Sequence, residues 1–215
     1  MASISVAGDV SGAISIAAPS AAGSGVLTLP TGTDTLVGKA TTDTLTNKSI
    51  AATQLTGTIA ASALPSGSIL QIVRSQTSAV ATGTTILPND NTIPQITEGT
   101  QFLSLAITPT SATSKLLIQY EINASTTAGA AISSALFQDS TASAIAAGNF
   151  TQATNWSVRY PLTYYMTSGT TSSTTFTVRA GLETAGTICL NGNGAGVRYF
   201  GGVNYSSITI TEIAA

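Results

Sequence analysis

Histidine is absent from this sequence and cysteine occurs once, at Cys189. Ser-His-Asp and Cys-His catalysis, and the usual zinc sites, therefore have no raw material. A lone cysteine also excludes an intrachain disulfide framework and fits assembly in a reducing compartment. Charged side chains make up only 7% of the chain, against about 25% in an ordinary soluble domain. The seven basic residues are scattered, so no patch for nucleic acid or an anionic membrane surface emerges. No apolar run approaches the roughly 20 residues that span a bilayer, and no membrane insertion is expected. The first basic residue is Lys39, which leaves the Met1 end without the charged region of a signal peptide. The chain reads as made and folded in a cytoplasm.

What replaces the missing charge is Thr, Ser, Gly, Ala and Asn. Hydrophobic residues are 43% of the total and mean hydropathy is +0.33. Intrinsic disorder usually pairs low hydrophobicity with high net charge, and a formal charge of -2 fits that class poorly. Five Asn-x-Ser/Thr triplets, starting at Asn47, Asn123, Asn149, Asn155 and Asn204, are what chance yields in so Ser- and Thr-rich a chain.

Between Val26 and Ile50 the chain echoes itself. Thr33-Asp34-Thr35-Leu36-Val37-Gly38-Lys39-Ala40 is answered by Thr42-Asp43-Thr44-Leu45-Thr46-Asn47-Lys48-Ser49. One large apolar residue per unit cannot build a core within one chain, so such a unit needs a neighbour. Leu27, Leu29, Leu36, Leu45, Ile50, Leu55, Ile59 and Leu64 are the apolar side chains through which copies would meet. Thr58–Leu64 has room for a single helical turn, stopped by Pro65. Residues 1–24, with Ile4, Val6, Ile14 and Ile16 alternating among glycines, read either as short strands or as a tail that orders on a partner.

The run TLPTGTDTLVGKATTDTLTNKSI, followed by QLTGTIAASALPSGSIL at Gln54–Leu70, resembles the shaft and neck of tailed-bacteriophage fibre proteins. The likeness extends more loosely to PNDNTIPQITEGTQF at Pro88–Phe102, TPTSATSKLLI at Thr108–Ile118 and SSITITEI at Ser206–Ile213. It implies a homotrimer located in the virion. In such a protein residues 1–24 would attach to other virion proteins of baseplate, tail or capsid, residues 25–67 would form shaft and neck, and residues 68–215 would be a β-structured head. The head would contact a host-surface glycan or protein.

After Gly67 period-two alternation dominates. Leu103, Leu105 and Ile107 face one way; Leu116, Ile118, Tyr120 and Ile122 repeat the pattern, as do Phe176, Val178, Ala180 and Leu182, then Ile208 and Ile210. The longest case puts Trp156, Val158, Tyr160, Leu162, Tyr164 and Met166 on one face, worth roughly ten kcal/mol gross if buried. A polar residue at Leu162 is then expected to unfold the head. Pro161 cannot donate to a ladder and marks an edge, a bulge or a break. The fold class that follows is all-β: an extended N-terminal shaft and an antiparallel β-sandwich head, jelly-roll-like.

The loops offer the recognition surfaces. Asn191-Gly192-Asn193-Gly194 reads as a turn that could also present amides to a sugar, and Arg198-Tyr199 follows it. Tyr165, opposite the apolar face of its strand, completes the candidate receptor set of Tyr165, Asn191, Asn193, Arg198 and Tyr199. Trp156 is assigned to the core, and Cys189 to a small buried site. Asn89-Asp90-Asn91-Thr92 reads as an Asx turn rather than a Ca²⁺ loop, since it has one carboxylate. Asp90, Glu98, Glu121, Asp139, Glu183 and Glu212 form no motif that pairs two carboxylates for glycan cleavage.

The expectation is a non-enzymatic virion fibre without metal or cofactor. A decoration or collar fibre, and a carboxylate-pair depolymerase, are the alternatives. Light scattering of the full chain should give a multiple of 21.5 kDa, and deletion of Gly25–Gly67 should weaken the association; a monomer would defeat the fibre reading.

Overall fold

The structure is a computed structural model that describes Ser3–Ala7, Ala13–Ala17, Ser49, Gly57 and residues 59–215 except Gln152. Two compact units divide the chain, Met1–Thr56 and Gly57–Ala215. In the first, β1 (Ser3–Ala7) and β2 (Ala13–Ala17) pair antiparallel, with Ser3 opposite Ala17. Leu27, Leu29, Leu36, Leu45, Ile50 and Leu55 lie outside the described residues.

The second unit is all-β, entered through a short 3-10 turn at Ala61–Ala63 just before Pro65. Its strands are β3 (Ile69–Thr77), β4 (Ala81–Gly83), β5 (Thr100–Ile107), β6 (Lys115–Thr126), β7 (Ala131–Gln138), β8 (Ala146–Thr151), β9 (Val158–Thr167), β10 (Thr174–Leu182), β11 (Ile188–Leu190) and β12 (Ser206–Ile213). One sheet runs β5-β10-β7-β8. The other runs β3-β12-β6-β11-β4, with β9 on β6. Every pairing is antiparallel.

The two sheets form an antiparallel sandwich around one core. Leu116, Ile118, Tyr120 and Ile122 of β6, with Ile208 and Ile210 of β12, meet Leu103 and Ile107 of β5, Ile132 and Leu136 of β7, and Phe176, Val178 and Ala180 of β10. All but Ile132 and Leu136 are side chains that the alternation assigns to the inside, because a pleated strand with one apolar face can bury it only against another such face. Tyr120 carries its hydroxyl into this core and shares a 2.9 Å hydrogen bond with the Ser134 hydroxyl; burial pushes its pKa up. Cys189 is buried and free, as expected of a small hydrophobe.

Several strands carried no legible alternation. In β7 every residue from Ala131 to Phe137 is buried. Ile132 and Leu136 enter the main core, whereas Ala135 and Phe137 join Leu87 in a second cluster beneath residues 86–99. A strand covered on both faces has no polar side to show. The segment 139–155, which shows no alternation of large apolar residues, contains β8, whose Ala and Gly residues leave space. A Cβ at Gly148 would lie 2.1 Å from the Tyr160 hydroxyl, so a glycine there admits the Tyr160 ring, which stacks on Phe150 at 4.8 Å.

The long apolar face of β9 departs from expectation at its start. Tyr160, Leu162, Tyr164 and Met166 pack against the core as half-buried residues, but Val158 is 38% and Trp156 72% exposed. The period was extended through a turn, where Asn155 adopts φ 64° and breaks the alternation. Leu162 is only partly buried, so a polar residue there costs less than a core substitution would. β9 pairs with β6 alone among the described strands, which makes Pro161 an edge proline.

Beneath the other end of the sheet lies one fully buried carboxylate. Glu212 accepts from Gln71 Nε2 at 2.6 Å, Ser114 Oγ at 2.6 Å, and the Thr110 amide and hydroxyl at 2.8 and 2.9 Å. Burial pushes its pKa up, but the bonds from Ser114, Gln71 and Thr110 outweigh it and hold the group below its ordinary 4.5. A lowered folded pKa means the stabilisation is complete above the unfolded value and is lost as pH falls through the folded one. Thermal melts should therefore drop at acid pH below about 4.5, and Glu212→Gln should both flatten that drop and cost about 2 kcal/mol at neutral pH. An unchanged melting profile in the variant would refute the role of Glu212.

Candidate functional site

At the end of the sandwich where β9 begins, the segment 153–157 and the hairpin after β11 form one corner. Asn155 donates its amide to the Thr126 carbonyl at 2.8 Å, and the Tyr199 hydroxyl donates to the Asn155 carbonyl at 2.9 Å. In the hairpin, Asn193 Oδ1 accepts from the amides of Ala195 at 3.1 Å and Val197 at 2.9 Å, and its own amide bonds the Val197 carbonyl. Gly192 and Arg198 close the base as a β-bridge. The Asn-Gly pair is thus a turn, built by an Asn side chain folding over its own loop.

A buried amide network supports the corner from below. Asn191 is fully buried; its Nδ2 donates to the carbonyls of Thr77 and Ala79, both at 3.0 Å, and its Oδ1 accepts from Ser206 Oγ at 2.8 Å. Ser206 Oγ also takes the Asn123 amide at 2.9 Å. Asn123 then bonds Asn204 through its Nδ2 and Ser157 through its Oδ1. The links tie together the segments around residues 77–79, 123, 157, 191 and 204–206, so the corner is held from several directions.

This placement revises the candidate set. Asn191 is a structural anchor with its amide spent on protein partners, and has nothing to offer a receptor. Asn193 is spent on loop geometry through Oδ1. Arg198 is exposed and lies over Gly202, where a Cβ would come within 2.8 Å of its Nη1. Tyr199 belongs to the corner, whereas Tyr165, 55% exposed, sits seven positions along β9 from Val158, roughly 20 Å away at about 3.3 Å per residue.

Two residues that the sequence reading placed elsewhere, or passed over, complete the surface. Trp156 is 72% and Phe200 78% exposed. With Asn155, Ser157 and Tyr199 they line an open concavity of about 320 Å³, and the Tyr199 and Phe200 rings lie 6.0 Å apart. Phe200 adopts φ 49°, beside Gly201 at 63° and Gly202 at 99°. A bulky residue in the left-handed region is strained, and such strain concentrates at functional sites. The available signals were the Asn before Trp156 and the Gly-Gly pair after Phe200, both marks of a turn rather than a strand.

Beside the corner the outer face of the larger sheet carries charge. Arg159 bonds Glu121 at 2.8 Å, and the guanidinium groups of Arg159 and Arg74 lie 4.7 and 5.7 Å from the centre of the Tyr205 ring. Three further carboxylates serve the fold: Asp139 caps Thr174 and Thr175, Glu98 accepts from the Gln95 amide, and Glu183 from that of Ala131. Among the described residues no three His, Cys, Asp or Glu side chains come together as a metal site. No described helix is long and apolar enough to cross a membrane. The corner offers apolar ring faces, two backbone turns and amide edges on a rigid base.

Residues 83–215 match the family model of the Pgp3 C-terminal domain. The match covers β5 to β12 and leaves out β3, most of β4 and all of Thr28–Leu70, where the fibre resemblance is strongest. No curated protein matches the chain. Among solved structures, the EclA C-terminal domain, a sugar-binding protein, is 17% identical over 56% of this chain and 79% of its own, with a TM-score of 0.33. The infectious bursal disease virus Gt strain structure is 15% identical over 69% of this chain and 39% of its own, at 0.34. Tailspike protein 4 of bacteriophage CBA120, enzymatically active domain, is 19% identical over 55% and 18%, at 0.27. Likenesses at these scores carry no functional argument.

Removing the Tyr199 hydroxyl tests how the corner is held. Tyr199→Phe should cost about 1 kcal/mol and shift the fluorescence emission of the chain's single tryptophan, Trp156; an unaltered spectrum would show that the bond to Asn155 does not position the indole.

Proposed function

The chain belongs to the Pgp3 C-terminal domain family, and from that premise we propose that it is a non-enzymatic attachment protein whose sandwich head binds a host-surface glycan or protein at the Trp156–Phe200 corner. One observation carries the reading: two large aromatic side chains stand 72% and 78% exposed on a corner that a buried amide network fixes in place. Exposed aromatics lose favourable burial in the free protein and regain it against a partner, which is why Trp and Tyr dominate binding hot spots. A rigid base lowers the entropy cost of binding.

The shaft motifs support the remaining features of the proposal, a homotrimer located in the virion with its N-terminal segment toward other virion proteins. Ile59, 55% exposed, and half-buried Leu64 are the described residues of the neck that would meet their copies. Three heads on one shaft turn weak single contacts into effective attachment.

Binding of full-length protein to host cells and to an array of surface glycans tests this. Trp156→Ala and Phe200→Ala should each reduce binding at least tenfold while the melting temperature holds. Full binding by the double variant would move the site elsewhere, and a wild-type protein that binds neither cells nor glycans would leave only a structural fibre role.

A further inference from the structure

A second concavity lies on the other sheet, away from the aromatic corner. Residues 86–99 cross the outer face of β7 and β8 and are pinned at both ends. Leu87 donates its amide to the Leu182 carbonyl at 3.0 Å, while Arg179 bonds the carbonyls of Glu98 at 2.9 Å and Gly99 at 2.8 Å. Its middle is fastened as well, since the amides of Ile96 and Ala144 bond the carbonyls of Ala142 and Pro94. Between this strap and the sheet is a pocket of about 260 Å³, below the roughly 300–1,000 Å³ of sites for drug-sized ligands. Such a volume suits one small ring.

The lining mixes donors and acceptors on an apolar floor. Ser133 and Asn149 are opposite one another in the β7–β8 ladder, and Asn149 Nδ2 donates to Asn89 Oδ1 at 2.7 Å. Asp90 receives the Thr92 amide at 2.8 Å and hydroxyl at 2.6 Å, both on Oδ1. Those bonds, the hydroxyl first, hold its pKa below the ordinary carboxylate range, so it is an anion with Oδ2 still able to accept. Leu87, Pro88 and Pro94 supply the apolar side.

The decisive feature is Ser133. It is 7% exposed, lines the pocket, and its Oγ has no hydrogen-bond partner among the described residues. A buried hydroxyl left unpaired is destabilising, and a ligand hydroxyl would supply the missing bond. A phosphate or other anion would meet the Asp90 carboxylate. A calcium ion would find one carboxylate where it usually takes several charged and carbonyl oxygens. Sugar hydroxyls each donate and accept, which matches a lining of amide, carboxylate and hydroxyl groups.

We propose that this pocket, formed by Asn89, Asp90, Ser133 and Asn149 under the strap, binds a single neutral sugar ring. The site is independent of the aromatic corner. Saturation-transfer NMR on the full chain, with glucose, galactose, mannose, rhamnose and N-acetylglucosamine as probes at millimolar concentration, reads it directly. At least one sugar should show transfer, with affinity falling about tenfold in Ser133→Ala and in Asp90→Asn and vanishing in Ser133→Val, whose added methyls fill the space. Ser133→Ala removes the unpaired hydroxyl and should melt no lower than the wild type, which separates lost binding from lost folding. No transfer from any of the five sugars would overturn the proposal. So would calcium binding without sugar binding, or a signal lost in Trp156→Ala but kept in Ser133→Ala.

Discussion

The sandwich depends on β6 finding partners along both edges while burying one face. Its 12 residues, Lys115–Thr126, pair with β9 on one edge and with β12 and then β11 on the other. Its even-numbered apolar side chains, Leu116 to Ile122, fill the core against the opposite sheet. Shifting the register by one residue would turn that row to solvent and Gln119 and Glu121 inward. The pairing thus fixes where β9, β11 and β12 lie, and with them the start of β9 and the end of β11, where the aromatic corner is built.

The corner inherits its position from that strand through Asn123. This residue lies one step beyond the polar row of β6 and joins Ser157, Asn204 and Ser206, while its carbonyl receives the Asn191 amide. Buried amides are costly unless all their bonds are made. Here most are made to other segments, so the stabilising network and the positioning device are the same set of atoms. Asn204 keeps one unpaired Nδ2 at its edge. Rigidity below and exposed rings above is the arrangement that lets a small surface bind without a large ordering cost.

The distribution of polar chemistry follows from scarcity of charge. With nine acidic groups in the chain, those in the sandwich are committed to caps, the Arg159 pair or the buried Glu212 cluster, and Asp90 is the one set beside a concavity with an unpaired buried hydroxyl. In the proposed reading recognition therefore rests on aromatic rings, amides and hydroxyls. The two concavities divide these by type, ring faces at the corner and hydrogen-bonding groups under the strap.

Much of the fold was legible because alternation is a local consequence of the pleat: β5, β6, β10 and β12 were readable from their apolar rows, as were the Asp90 turn and the burial of Cys189, while Pro161 was readable only as an edge, a bulge or a break. What the sequence could not show was β7, whose two covered faces remove the polar signal, β8, whose small residues answer to the Tyr160 ring in another strand, and the three-residue β11. The placement of the receptor candidates was half-legible. Arg198 and Tyr199 lie at the corner, but Asn191 looked like a surface amide and is an anchor, and Trp156 looked like core and stands in solvent. Composition and periodicity decided the class of structure, a β-sandwich poor in charge without histidine chemistry. Only the tertiary structure decided which side of the boundary each polar or aromatic residue occupies, because a turn such as that at Asn155, with its positive φ, ends a row that the alternation alone carries back to Trp156.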